Sequence, residues 1–190
     1  MSETPRLYAL CDQALLERAG CSLEDFVTIC RKHHAEIIQY RNKDAETETV
    51  KKRLIALRKL WDGFLIVNDR YELASYCDGV HIGQEDLSKI DDDPKRALAA
   101  LRAAIGEDKI VGLSTHNEEE IAVANGLDLN YIGLGAYRAT GTKAVDHILG
   151  ERLDSLAADS RHSVAAIGGV VLADRFEHVT YHVVGSGLLR

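Results

Sequence analysis

Phe64–Leu87, FLIVNDRYELASYCDGVHIGQEDL, holds two apolar runs that each stop at an acidic, polar cluster. Phe64–Val67 is a short continuous apolar run, the pattern of a strand buried on both faces, and it ends at Asn68-Asp69. Gly79–Ile82 repeats the pattern and ends at Gly83-Gln84-Glu85-Asp86. The intervening Arg70–Tyr76 has room for about two helical turns. The unit therefore reads as strand, short helix, parallel strand, with both polar clusters at the same end. That reading predicts Asp69 and Asp86 on one rim.

Working outward, the same alternation recurs on both sides. Towards the N-terminus, Arg6–Leu10 reads as a strand and Leu23–Lys32 as a helix, with Phe26, Ile29 and Cys30 on one face. Glu36–Gln39 reads as the second strand, followed by Tyr40-Arg41-Asn42-Lys43. Thr47 then opens a helix with the stripe Val50, Leu54, Leu57 and Trp61. Towards the C-terminus, Asp93-Pro94 supplies an N-cap and a first-turn proline for a helix through Ala104. Asp91 and Asp92 favour that N-terminus electrostatically and read as capping rather than as a metal site. Lys109–Leu113 is the fifth strand, ending at Ser114-Thr115-His116, and Asn117 caps the helix after it. Asn130–Leu134 is the sixth, leading into a loop with Thr140, Gly141, Thr142 and Lys143, after which Leu149–Ala158 reads as a helix. Ser163–Ile167 ends at Gly168-Gly169, and Tyr181–Val184 ends at Gly185-Ser186-Gly187.

Eight strands alternating with helices are the signature of a (β/α)8 TIM barrel, whose active-site residues lie on the loops after the strands. Every polar cluster named above lies there. Only Leu172–His178 remains for the seventh helix, and little chain follows the eighth strand, so a barrel shortened at both places is expected. Residues 1–190 contain no linker, repeat or low-complexity segment and read as one domain.

A hydrophobic fraction of 46% against 28% charged residues excludes a disordered chain. No apolar run reaches the roughly 18 residues of a membrane helix, and MSETPR lacks a signal-peptide core, so a cytoplasmic protein without membrane contact is expected. The net charge of −7, with no basic stripe, argues against nucleic acid. Cys11, Cys21, Cys30 and Cys77 are spaced neither as a zinc site nor as a disulfide framework and read as reduced thiols.

Five groups of residues carry candidate chemistry. Asp69 and Asp86 follow neighbouring strands, where hard oxygen ligands suit Mg²⁺; each could instead cap its own following helix. Gln39, Arg41 and Lys43 alternate along an extended segment, presenting a guanidinium and an ammonium on one side, suited to a phosphate or diphosphate or to a solvated surface. Gly168-Gly169 and Gly185-Ser186-Gly187 follow strands seven and eight, the usual phosphate site of such barrels. Thr140, Thr142 and Lys143 pose the same anion-binding question. His116 is either a proton shuttle or a hydrogen-bonded loop histidine. A Schiff base at Lys43 or Lys143 is disfavoured, because neither sits in an apolar strand that would depress its pKa.

The motifs Gln39-x-Arg41-x-Lys43, VNDRYELA, DGVHIGQEDL, GLSTH, YIGLG followed by Thr140-x-Thr142-Lys143, and AIGGV together resemble the thiamine phosphate synthase family from Leu7 to about Val170. The resemblance implies a TIM barrel that joins hydroxymethylpyrimidine diphosphate to thiazole phosphate, releasing pyrophosphate and thiamine phosphate. The implied route is dissociative, with a pyrimidine-stabilised carbocation captured by the thiazole nitrogen. It implies Mg²⁺ on Asp69 and Asp86, and Gln39, Arg41, Lys43, Asn68, Ser114 and Lys143 around the pyrimidine diphosphate. Lys143, Arg41, Ser114 and His116 are the expected catalytic residues. Thr140, Thr142, Gly168, Gly185 and Ser186 would hold the thiazole phosphate. The chain departs from the family pattern at Tyr137-Arg138-Ala139, where an aromatic–proline pair is usual; Arg138 adds positive charge near the rim. It also lacks the usual helix after strand eight, so bare apolar surface near strands one, seven and eight predicts a homo-oligomer. Two alternatives remain: a thiazole tautomerase using His116 as acid and base, and a non-catalytic ligand-binding protein of thiamine metabolism.

Overall fold

In the computed structural model, which describes residues 6–139 and 148–189, the elements follow one another in the expected alternation. They are β1 (Arg6–Asp12), α1 (Gln13–Ala19), α2 (Leu23–Lys32), β2 (Ile37–Arg41), α3 (Thr47–Leu60) and β3 (Phe64–Asn68). A 3-10 helix (Tyr71–Tyr76), β4 (Gly79–Ile82), α4 (Gln84–Ser88), α5 (Pro94–Ile105), β5 (Ile110–Thr115) and α6 (Glu118–Ala124) come next. The last are β6 (Tyr131–Leu134), α7 (Arg152–Ala157), β7 (Ser163–Ala166), β8 (Tyr181–Val184) and a 3-10 turn (Ser186–Leu188). Every neighbouring pair of strands is parallel, and β1 pairs with both β2 and β8, so the sheet closes as an eight-stranded barrel.

Alternate residues of each strand serve two different cores. Leu7, Ala9, Cys11, Ile38, Tyr40, Val80, Ile82 and Leu113 face outward and pack with the helices' apolar stripes, including Phe26, Val50, Leu54, Leu57 and Leu101. Tyr8, Ile37, Ile66, Tyr131, Ala165 and Val183 form a second, smaller cluster inside the barrel. The helices start where the sequence provides caps. Ser22 and Asp25 form a capping box on α2, Asp93 accepts from Lys95 and Arg96 ahead of Pro94, and Asn117 accepts from Glu120. Asp91 pairs with Arg96 at 2.8 Å, which agrees with a structural role for the acidic run.

The ladder extends further than the apolar runs alone suggest. β2 begins at Ile37 rather than Glu36 and continues to Arg41, and β5 continues to Thr115, because Asp12 pairs with Arg41 and Thr115 with Leu134 in register. Arg41 and Ser114 are therefore strand residues rather than loop residues. Helix α1 was not expected; Asp12 caps it by accepting from Leu15 N at 3.1 Å, and Gly20 ends it with a left-handed φ of 59°. The expected Leu149–Ala158 helix shortens to Arg152–Ala157.

Leu172–His178 is not helical at all. Among the described residues, β7 and β8 are joined by turns whose backbone is held by side chains: Asp154 accepts from Glu177 N and His178 N at 2.9–3.0 Å, and Phe176 packs edge-on against Tyr137 and His182. No helix among the described residues is long and apolar enough to cross a membrane.

Candidate active site at the barrel rim

The rim is built where β3 and β4 end side by side. Asp69, just past β3, is held in the left-handed region at φ 60°, and its N–H donates to the carbonyl of His81 on β4 at 2.8 Å. A non-glycine residue in this region is uncommon and costs backbone energy, which aspartate tolerates better than most residues. The turn aims the Asp69 carboxylate at Gly83. Asp69 Oδ1 and Asp86 Oδ2 both lie within 4.0 Å of the position that a Cβ on Gly83 would take.

Neither carboxylate caps the helix that follows it. Arg70 and Gly83 hold the cap positions of the 3-10 helix and α4, without side-chain cap bonds. Burial first, and then the charge of Asp86, push the Asp69 carboxyl above the ordinary carboxylate range. The Gly83 N–H, the Lys43 charge and the Asn68 amide pull it back, the amide donating to Asp69 Oδ2 at 2.5 Å. Two converging carboxylates, one of them destabilised as an anion, form a hard-oxygen pair that a divalent cation would relieve, so the donor set fits Mg²⁺. Asp86 meanwhile pairs with Lys89 on its own short helix at 2.7 Å.

The Gln39, Arg41, Lys43 triplet splits into three environments. Gln39 is buried inside the barrel and donates to the Tyr8 hydroxyl at 2.6 Å. Arg41, at the end of β2, forms an ion pair with Asp12 at the end of β1. Asp12 is a partner that sequence reasoning missed. Its side chain is only 3% exposed and also caps α1, so it orients the guanidinium from below while further N–H groups remain for a ligand. Lys43 is exposed beyond the strand, close enough to Asp69 to stabilise its charge.

Ser114 ends a hydrogen-bonded row inside the barrel. Its Oγ meets His81 Nε2 at 2.9 Å, His81 Nδ1 meets the Tyr131 hydroxyl at 3.0 Å, and Tyr131 meets the Tyr8 hydroxyl at 2.8 Å. The Ser114 carbonyl accepts from Gln84 at 2.6 Å, tying β5 to α4. Tyr8, His81 and Tyr131 were not singled out from the sequence. The available signal was glycine at inward positions: a Cβ on Gly112 would come within 2.1 Å of the Tyr131 ring, and one on Gly133 within 2.8 Å of the His81 ring. His116 lies at the rim with its ring Nδ1 and backbone N–H both on Glu120 Oε2 at 2.9 Å, which tethers the ring and leaves Nε2 without a hydrogen-bond partner among the described residues.

Across the rim, Gly168 and Gly169 have φ of 86° and 70°, and an added Cβ would meet Ala136 at 2.5 Å and Arg138 at 2.8 Å. Left-handed backbone and close approach both demand glycine there. Arg138 does not bring an unpaired charge to the rim. It forks onto Asp174 at 2.7–2.8 Å, donates to the Gly169 carbonyl at 2.9 Å and stacks on Tyr137. Gly185 precedes the 3-10 turn that carries the exposed Ser186. Thr140, Thr142 and Lys143 lie outside the described residues.

The family model described as thiamine monophosphate synthase matches residues 7–186. A thiamine-phosphate synthase from Persephonella marina is 34% identical over 170 residues, covering 86% of this chain and 76% of that protein. One from Synechocystis is 39% identical over 141 residues, covering 71% of this chain and 38% of that protein. The solved thiamine phosphate pyrophosphorylase of Pyrococcus furiosus superposes with a TM-score of 0.75 at 23% identity, covering 98% of this chain and 88% of that one, and supports the fold.

Proposed function

The chain belongs to the thiamine monophosphate synthase family, and from that premise we propose that it couples hydroxymethylpyrimidine diphosphate to thiazole phosphate, giving thiamine phosphate and pyrophosphate. The observation that carries this reading is the convergence of Asp69 and Asp86 on Gly83, with the Lys43 charge beside them, at the rim of a closed barrel. Asp69 and Asp86 would hold Mg²⁺, whose chemistry when bound is to neutralise negative charge on the diphosphate.

The chain's own groups supply the rest. Lys43 and Arg41, the latter oriented by Asp12, stabilise the charge that develops as pyrophosphate departs. Asn68 fixes the Asp69 carboxylate, Ser114 donates a hydroxyl, and Gln39 closes the floor beneath them. Lys143 belongs with the cations by resemblance. The glycine turn at Gly168-Gly169, with Gly185 and Ser186 and, by resemblance, Thr140 and Thr142, would hold the thiazole phosphate, so that the ring nitrogen lies in line with the carbon that pyrophosphate leaves. We place the protein in the cytoplasm, where its four unpaired cysteines suit a reducing compartment, and as a homo-oligomer, since Ile148, Val171 and Leu172 are exposed.

The test is to incubate the purified protein with both substrates and Mg²⁺ and follow thiamine phosphate and pyrophosphate by chromatography. Arg41→Ala and Lys143→Ala should each lower the coupling rate about a hundredfold, about 3 kcal/mol, and His116→Ala far less. A tautomerase predicts the reverse order. If wild type makes no thiamine phosphate while His116→Ala abolishes isomerisation of the thiazole precursor, the synthase reading is wrong.

A further inference from the structure

The row Gln39, Tyr8, Tyr131, His81, Ser114 crosses the barrel interior from β2 through β1, β6 and β4 to β5, and the proton inventory of its members decides its direction. With the Gln39 amide oriented so that Nε2 faces Tyr8, the Tyr8 oxygen accepts there and its single proton goes to Tyr131. The Tyr131 oxygen, already an acceptor, must then donate to His81 Nδ1, which therefore carries no proton. The proton of a neutral His81 sits on Nε2 and is donated to Ser114 Oγ. Tyr8, Tyr131 and His81 are all buried inside the barrel, where the neutral form of each is favoured.

We propose that His81 and Tyr131 are positioning residues of the coupling reaction: the one-way chain that starts at Gln39 fixes the Ser114 oxygen as an acceptor from below, leaving its hydroxyl proton to be donated upward to the departing diphosphate. The proposal deepens the synthase reading and rests on it for the identity of the ligand. Chains of hydrogen bonds polarise one another in a low-dielectric interior, so a serine that already accepts from an imidazole is a stronger donor than a free one. The rings are also locked by packing: Tyr131 covers Gly112 and His81 covers Gly133, and neither can turn over without losing its place. The serine is thus oriented before any ligand arrives, the condition under which a hydrogen bond lowers a barrier rather than only tightening binding.

Two measurements test it. In histidine-labelled protein, ¹⁵N spectra should show the His81 signal, identified by its loss in His81→Gln, as the neutral Nε2–H tautomer, and Tyr131→Phe should remove its preference. The Nδ1–H tautomer would mean that the row runs the other way, with Ser114 donating to His81, and would overturn the proposal; this readout needs no turnover and stands apart from the synthase assignment. In coupling kinetics, Tyr131→Phe should lower kcat about tenfold with KM little changed. His81→Gln, which keeps a donor, should retain more activity than His81→Leu. In a Ser114→Ala background the Tyr131 effect should vanish, and an equal loss there would show that Tyr131 acts on folding instead.

Discussion

Lowering the pH should cost this protein stability through His81 in particular. The ring lies inside the barrel, and burial, aided by the nearby His116, depresses its pKa from 6.5 to about 4. The unfolded chain takes up a proton near 6.5 while the folded chain does not, so the unfolded state binds more protons throughout that interval. The stabilisation is complete above about pH 6.5 and is lost as pH falls towards 4. A gap of about two and a half units, at about 1.4 kcal/mol each, makes the loss about 3 kcal/mol. Urea unfolding of wild type and His81→Gln, at pH steps between about 7.5 and 4.5, isolates the term, because carboxylates and the also-depressed His182 are common to both proteins. Wild type should fall relative to the variant by most of that amount, beginning near pH 6.5. Parallel stability curves would refute the reasoning, since they would mean that His81 either titrates normally when folded or is not confined to the interior.

Asp86→Asn should cut coupling roughly a hundredfold or more by removing one of the two carboxylates that converge on Gly83, and excess chelator should do the same to wild type; full activity in chelator would sink the Mg²⁺ assignment. Gly112→Ala places a Cβ 2.1 Å from the Tyr131 ring and should destabilise the fold by about 1–3 kcal/mol in urea unfolding, whereas an unchanged midpoint would show that the ring does not occupy that space. Light scattering at micromolar concentration should find a dimer or larger species, and a monodisperse monomer would count against the assembly proposed from Ile148, Val171 and Leu172.

The barrel was legible because its strands are short apolar runs that end abruptly, as at Val67 and Ile82, and because Asp93 and Asn117 announce their helices. What failed was whatever tertiary pairing decides. Arg41 and Ser114 are polar and read as loop, yet they extend the ladder because Asp12 and Gly133 lie opposite them in register. Leu172–His178 has the length of a short helix, but its backbone N–H groups find Asp154, and Asp174 binds Arg138 instead of facing solvent. A single chain of letters does not show that a carboxylate some twenty residues away will satisfy a turn.

The site divides along the same line. Asp69 and Asp86 could be placed on one rim from chain order alone, since parallel neighbouring strands end together. Arg138, by contrast, reads as an added charge near the ligand, and only the position of Asp174 turns it into a strap between the loops after β6 and β7. The interior row was harder still, because strands buried on both faces hide the alternation that would separate inward from outward residues. His81 stands between Val80 and Ile82 like any core residue, yet those two face the helices and His81 faces the axis. The glycines carry the missing information: Gly112 and Gly133 leave space inside the barrel, and the two large inward rings near that space are Tyr131 and His81. Once packing places a phenol and an imidazole in contact there, their buried polar atoms must be partnered, and Tyr8, Gln39 and Ser114 are the polar groups within reach. The polar row is therefore a consequence of how the barrel is filled, which is why its orientation of Ser114 does not depend on a bound ligand.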